Sequence, residues 1–137
     1  MGAIKELIRI EENGSISFGD YELEQKTKLD DFEYEGNIYK AKTFREITKL
    51  EKNGMLVYES VPGTAVLGLA VTEEGMTFEV SGLKDAQITV ELEADTQYQV
   101  VLNGNDIGHM NTNLGGKLSF SVELEDGSDV SVAIQKV

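Results

Sequence analysis

Apolar and polar residues alternate with a period of two along most of the chain. Ile88, Val90 and Leu92 alternate with Thr89, Glu91 and Glu93, and Phe120, Val122 and Leu124 alternate with Ser119, Ser121 and Glu123. Val130, Val132 and Ile134 do the same against Ser131 and Gln135. Successive side chains of a strand point to opposite faces, so each run puts one face into a core and the other into water. Asn-Gly, the pair that best tolerates the positive φ of tight hairpins, occurs at Asn13-Gly14, Asn53-Gly54 and Asn103-Gly104. Glu35-Gly36, Glu74-Gly75, Gly115-Gly116 and Asp126-Gly127 add turn signals. The pattern predicts strands over 4–11, 15–18, 21–25, 32–35 and 38–43, then over 64–72, 76–81, 86–92, 97–102, 106–111, 117–124 and 129–136. Phe44, Ile47, Leu50 and Glu51 fit a helical stripe, and 47–52 and 55–60 around Asn53-Gly54 fit a hairpin at least as well; the hairpin is the preferred reading, with a short helix over 44–52 the alternative.

The single proline divides these runs. Val61-Pro62-Gly63-Thr64 combines a fixed φ with glycine, which reads as a joint. The expected organisation is all-β: a small N-terminal β-subdomain of hairpins over 1–61, then a β-sandwich of the immunoglobulin or fibronectin type III kind over 64–137.

Composition removes whole classes of chemistry. With 137 residues, 40% hydrophobic and 27% charged, the chain has a globular balance. It has no cysteine, which excludes disulfides, thiolate metal sites and thiol nucleophiles. Twelve basic against 25 acidic residues give a net charge of -13, which opposes nucleic acid and anionic membranes as partners. No apolar run approaches the ~18 residues of a membrane span. Lys5, Glu6, Arg9, Glu11 and Glu12 stud the first residues, so no signal peptide is expected there and the expected location is cytoplasmic.

A Ser–His–acid arrangement would need the sole histidine, His109, in a short predicted strand without a Gly-x-Ser-x-Gly elbow. One imidazole cannot make a multi-histidine metal site, and Asn103-Gly104-Asn105-Asp106 lacks the acidic spacing of a calcium loop. Neither a metal nor a cofactor is therefore expected. Most carboxylates fall on wet strand positions or beside turns rather than as a pair across a cleft. Glycan-binding surfaces use aromatic platforms, and Tyr34 and Tyr39 lie close to the one cationic stretch, Lys40, Lys42, Arg45, Lys49 and Lys52. Tyr34, Tyr39, Lys40, Lys42 and Arg45 are the candidate ligand-binding residues, and Pro62, Gly63 and Tyr98 the candidate structural ones.

Two resemblances add to this. The stretch from Leu92 through Thr96-Gln97-Tyr98-Gln99-Val100 resembles the fibronectin type III segment in which a tyrosine makes a corner with backbone just upstream; Tyr98 is the matching position. Glu12-Asn13-Gly14-Ser15-Ile16-Ser17-Phe18, Ile47-Thr48-Lys49-Leu50-Glu51-Lys52-Asn53-Gly54 and Tyr58-Glu59-Ser60-Val61-Pro62-Gly63-Thr64 together resemble a family of short bacterial proteins that often carry an endosialidase label. That resemblance implies a glycosidase. The residues point elsewhere: sialidases grip the sugar carboxylate with three arginines, and this chain has only Arg9 and Arg45. The expected function is a non-catalytic binding or accessory module, with carbohydrate as the ligand class by resemblance. The alternatives are a structural protein acting through a homo-oligomeric interface and the labelled glycosidase. A glycan, a protein or a second copy is the partner class left open.

Overall fold

The alternation is realised as thirteen strands and no helix in the structure, a computed structural model that describes residues 2–137. The strands are β1 (Ile8–Ile10), β2 (Ile16–Phe18), β3 (Thr27–Tyr34), β4 (Asn37–Phe44), β5 (Ile47–Lys52), β6 (Met55–Val61) and β7 (Ala65–Thr72). They continue as β8 (Gly75–Ser81), β9 (Ala86–Glu91), β10 (Gln97–Leu102), β11 (Asn105–Asn111), β12 (Lys117–Val122) and β13 (Asp129–Lys136). They form two antiparallel sheets, ordered β1-β2-β7-β8-β13-β10-β11 and β12-β9-β6-β5-β4-β3. With no helix in the described chain, none is present that could cross a membrane.

The turn chemistry acts as its residues dictate. Asn53-Gly54 and Asn103-Gly104 close the β5–β6 and β10–β11 hairpins with both residues at positive φ. Glu35-Gly36 does the same between β3 and β4. The segment 44–52 is a hairpin and not a helix: Phe44 ends β4 and pairs with Ile47 of β5 across the two-residue turn Arg45-Glu46. The run at 21–25 is not a strand. There the Asp20 carboxylate accepts from the Glu22 N–H at 3.0 Å and Leu23 C=O accepts from Arg45 N–H at 2.9 Å, so one local bond and one tie to the β4–β5 turn stand in place of a ladder.

Strands from both sides of Pro62 share each sheet: β2 pairs with β7, and β6 pairs with β9. The chain changes sheet at Pro62–Thr64. A buried hydroxyl cluster fixes that crossing. Thr43 and Thr48 hydroxyls are 2.8 Å apart, and the Thr64 hydroxyl lies 2.8 Å from those of both Tyr58 and Ser60. The backbone must also come close. A Cβ on Gly63 would stand 2.0 Å from the Phe44 carbonyl oxygen, and one on Gly19 2.4 Å from that of Thr64.

Between the sheets lies the main core, with Tyr58 fully buried in it, and a small second cluster gathers Ile4, Tyr21 and Ala65. The Tyr58 ring meets Phe18 and Phe78 of the opposite sheet edge-on, at centroid distances of 5.3 and 5.6 Å. Desolvation pushes the Tyr58 phenol far above its ordinary value, so it stays neutral.

Candidate functional site

Alternation along β4 decides how the candidate residues are distributed. Tyr39, Ala41 and Thr43 point into the core, so Lys40 and Lys42 point outward from the same strand. The two tyrosines and the two lysines are thus on opposite faces of one sheet. Arg45 sits in the β4–β5 turn, beside Pro62 and Gly63 in an open depression of about 630 Å³ at the end of the sandwich. Its guanidinium is 4.0 Å from Glu24. Arg9 lies on β1 of the other sheet, bound to Glu11 at 2.9 Å.

Tyr34 and Tyr39 do come together. They line a cleft of about 420 Å³ that opens between β3, β4 and the β1–β2 turn. Its walls add Asn13, Asn37, Lys52 and Glu91, with Val57 and Leu69 deeper in. Tyr34 is half-buried against the turn: a Cβ on Gly14 would lie 3.3 Å from its hydroxyl. Tyr39 is 7% exposed. Burial raises both phenols above their ordinary value, and the Glu35 charge pushes the same way. Both hydroxyls are therefore neutral at pH 7, able to donate and to accept.

Side-chain amides stiffen the rim. The Asn53 carbonyl accepts from Ile38 N–H at 2.9 Å, and its amide nitrogen donates to the Asn37 carbonyl at 2.9 Å. The Asn13 carbonyl accepts from the N–H and hydroxyl of Ser15, at 3.0 and 2.6 Å. All of these Asn13 bonds run through oxygen, which leaves its amide nitrogen to donate to a ligand. Glu91 is held by Lys117 at 3.2 Å.

The outward lysines make a different surface. Lys28 stands opposite Lys42, and Lys42 opposite Lys49, so three cations form one row across β3, β4 and β5. Neighbouring strands are about 4.8 Å apart, and like charges placed directly opposite repel. The row continues through Glu59, Thr89 and Ser119. Lys49 is 4.0 Å from Glu51 and Lys40 is 3.8 Å from Asp30. Lys26 stands over the Phe44 ring at 6.0 Å. Burial and then the neighbouring lysines hold the Lys42 ammonium below its ordinary value.

Tyr98 is 1% exposed and its hydroxyl accepts from the Glu93 N–H at 3.2 Å, the corner contact its sequence context suggests. His109 is exposed on β11 of the other sheet. Sequence reasoning missed Lys28 because it precedes the cationic stretch and joins it only through strand pairing. It missed Asn13, Asn37 and Glu91 as cleft residues because they read as turn or wet-face positions, and only the meeting of the sheets makes them neighbours. No protein-family model matches the chain, and neither does any curated protein or solved structure with which it was compared.

Proposed function

We propose that the chain is a non-catalytic binding module and that its ligand is a short, uncharged, polyhydroxylated molecule of the carbohydrate class, held in the cleft between Tyr34 and Tyr39. The observation that carries this reading is the composition of that one cleft: two neutral phenols, the amides of Asn13 and Asn37, and the charged ends of Lys52, Glu35 and Glu91 around an apolar floor. A sugar presents a C–H face and a hydroxyl edge, which such a lining matches with aromatic surface and fixed polar groups. About 420 Å³ falls within the ~300–1,000 Å³ of small-molecule sites. The Tyr98 corner supports a fibronectin type III likeness for the second part of the chain.

Catalysis fits the cleft less well. Glycoside hydrolysis needs two carboxyl groups free to act across the bond, and of the cleft's two, Glu35 and Glu91, the second is already engaged by Lys117. An arginine clamp for a sugar carboxylate fares no better, since Arg9 and Arg45 belong to different sheets and each has an acidic partner.

Titration calorimetry with a panel of short neutral oligosaccharides tests the reading. Binding by the native protein is expected, with Tyr34→Ala weakening it about tenfold and Lys42→Gln, on the opposite face, leaving it unchanged. No binding by the native protein, or binding indifferent to Tyr34→Ala, overturns it.

A further inference from the structure

An antiparallel sandwich of this kind has four edge strands, and three of them are protected. β3 carries Lys28, Asp30, Asp31 and Glu33, with a break in register between Leu29 and Phe32. β1 has three residues. The register of β11 breaks where Val100 and Val101 meet it, and Asp106, Gly108 and His109 lie along it. Bulges, charges and shortness are the usual means by which an edge avoids pairing with another chain. β12 has none of these. It pairs with β9 from Lys117 to Val122 without interruption, and its only charge is at its first residue.

The ladder identifies which backbone groups of β12 are open. Leu92 N–H donates to Gly116 C=O at 2.8 Å, one step beyond the Lys117–Glu91 pair. Bonded pairs alternate along an antiparallel ladder, so Leu118, Phe120 and Val122 face β9 while Ser119 and Ser121 turn N–H and C=O to the open side. The Lys117 N–H and C=O are taken by Asn113, at 2.9 and 3.1 Å. The hydroxyl of Ser119 pairs with that of Thr89 at 2.8 Å, and the Ser121 hydroxyl donates to Gln87 at 2.7 Å. Both serine side chains are thus held on the sheet face, clear of the edge.

We propose that this edge is an interface for a second copy of the same chain, β12 pairing antiparallel with β12 about a two-fold axis at Phe120. The segment Lys117-Leu118-Ser119-Phe120-Ser121-Val122-Glu123 is self-complementary in order. Reversed upon itself about Phe120, it sets Ser119 opposite Ser121, Leu118 opposite Val122, and Lys117 opposite Glu123. Hydroxyl meets hydroxyl on the wet face, apolar meets apolar on the core face, and cation meets anion at both ends. The register has the right parity as well. Ser119 and Ser121, whose backbone groups are open, become the bonded pair and exchange four N–H···O=C bonds across the axis. An isologous contact requires one patch to complement itself, and this strand does so in order, charge and hydrogen-bonding phase. The two six-stranded sheets become one sheet of about twelve strands. Leu114, 87% exposed in the turn before β12, flanks the same edge.

Sedimentation over a concentration series at physiological salt tests this on the full chain. A dimer of twice 15.1 kDa is expected to grow in with concentration, accompanied by slowed amide exchange at Ser119 and Ser121. Ser119→Pro removes an open N–H, a change edge strands tolerate, and should leave a monomer. Glu123→Lys, at an exposed position outside the core, sets Lys against Lys and should weaken the dimer about tenfold while the melt is unchanged. A monomer at every concentration overturns the proposal. So does a dimer that Glu123→Lys leaves intact with no added protection at Ser119 and Ser121.

Discussion

The Thr48 hydroxyl holds both ends of the Thr64 residue, donating to its C=O at 2.7 Å and accepting from its N–H at 3.1 Å. Thr48 is on β5 and Thr64 lies where the chain passes from one sheet to the other, so one side chain takes the place of a backbone ladder at the crossing. Thr43 and Asp20 extend the arrangement, the Asp20 N–H donating to the Thr43 hydroxyl at 2.9 Å. Thr43, Thr48 and Thr64 are all buried, which makes every bond in the cluster expensive to lose.

Thr48→Val keeps the shape and orphans two buried backbone groups. Each such group costs about 1–3 kcal/mol, so the variant should lose about 2–4 kcal/mol. Ser60→Ala should lose less, about 1 kcal/mol, because Tyr58 still satisfies the Thr64 hydroxyl. Urea midpoints at constant m-value measure both. Equal losses for the two variants would refute the central place given to Thr48.

Tyr98→Phe leaves the ring buried and removes the acceptor for the Glu93 N–H. A loss of about 1–2 kcal/mol is expected. An unchanged midpoint would mean that the corner contributes nothing.

Lys42 lies between Lys28 and Lys49, so Lys42→Gln should stabilise the fold by about 0.5 kcal/mol, and less as salt rises. The pH dependence has a definite sign. The folded-state pKa of Lys42 is depressed, so the unfolded chain binds more protons just below the ordinary lysine value of 10.5 and this penalty fades as pH rises through that window. The advantage of Lys42→Gln should therefore shrink in alkali. An advantage constant from neutral to alkaline pH contradicts the account.

Glu11 accepts from the Ser17 hydroxyl and from Arg9, in that order of effect, and its carboxyl is held below the ordinary range. A depressed carboxylate contributes stability above its unfolded pKa and loses it as pH falls through the folded one. Ser17 also accepts from Gly68 N–H at 3.0 Å. Ser17→Ala should destabilise by about 1–3 kcal/mol at pH 7 and move the Glu11 titration toward the ordinary value. Carboxyl chemical shifts followed against pH show whether it moves.

Period-two alternation and the Asn-Gly pairs were enough to make the chain all-β, because side-chain direction and positive φ are local properties. They located the hairpins on either side of Asn53-Gly54 and Asn103-Gly104, whereas 44–52 fitted a helix as well as a strand until strand pairing decided it. The contact at Tyr98 was expected from the resemblance of its sequence context alone, and its partner lies five residues away. Asp20, which turns 21–25 out of any ladder, was not legible, since its burial depends on Thr43 and the sheet behind it.

The candidate site was half legible. Sequence proximity grouped Tyr39 with Lys40 and Lys42, and the pleat sent them to opposite faces, a consequence of the same alternation once the core side is known. Lys28 reaches Lys42 only through strand register, and Asn13 and Glu91 reach Tyr34 only through the meeting of two sheets. Local sequence determined most of the strands and the tight turns between them. Which strands became neighbours was decided by tertiary structure, because burying both apolar faces in one core requires the sheets to pack, and that packing builds the cleft and the lysine row.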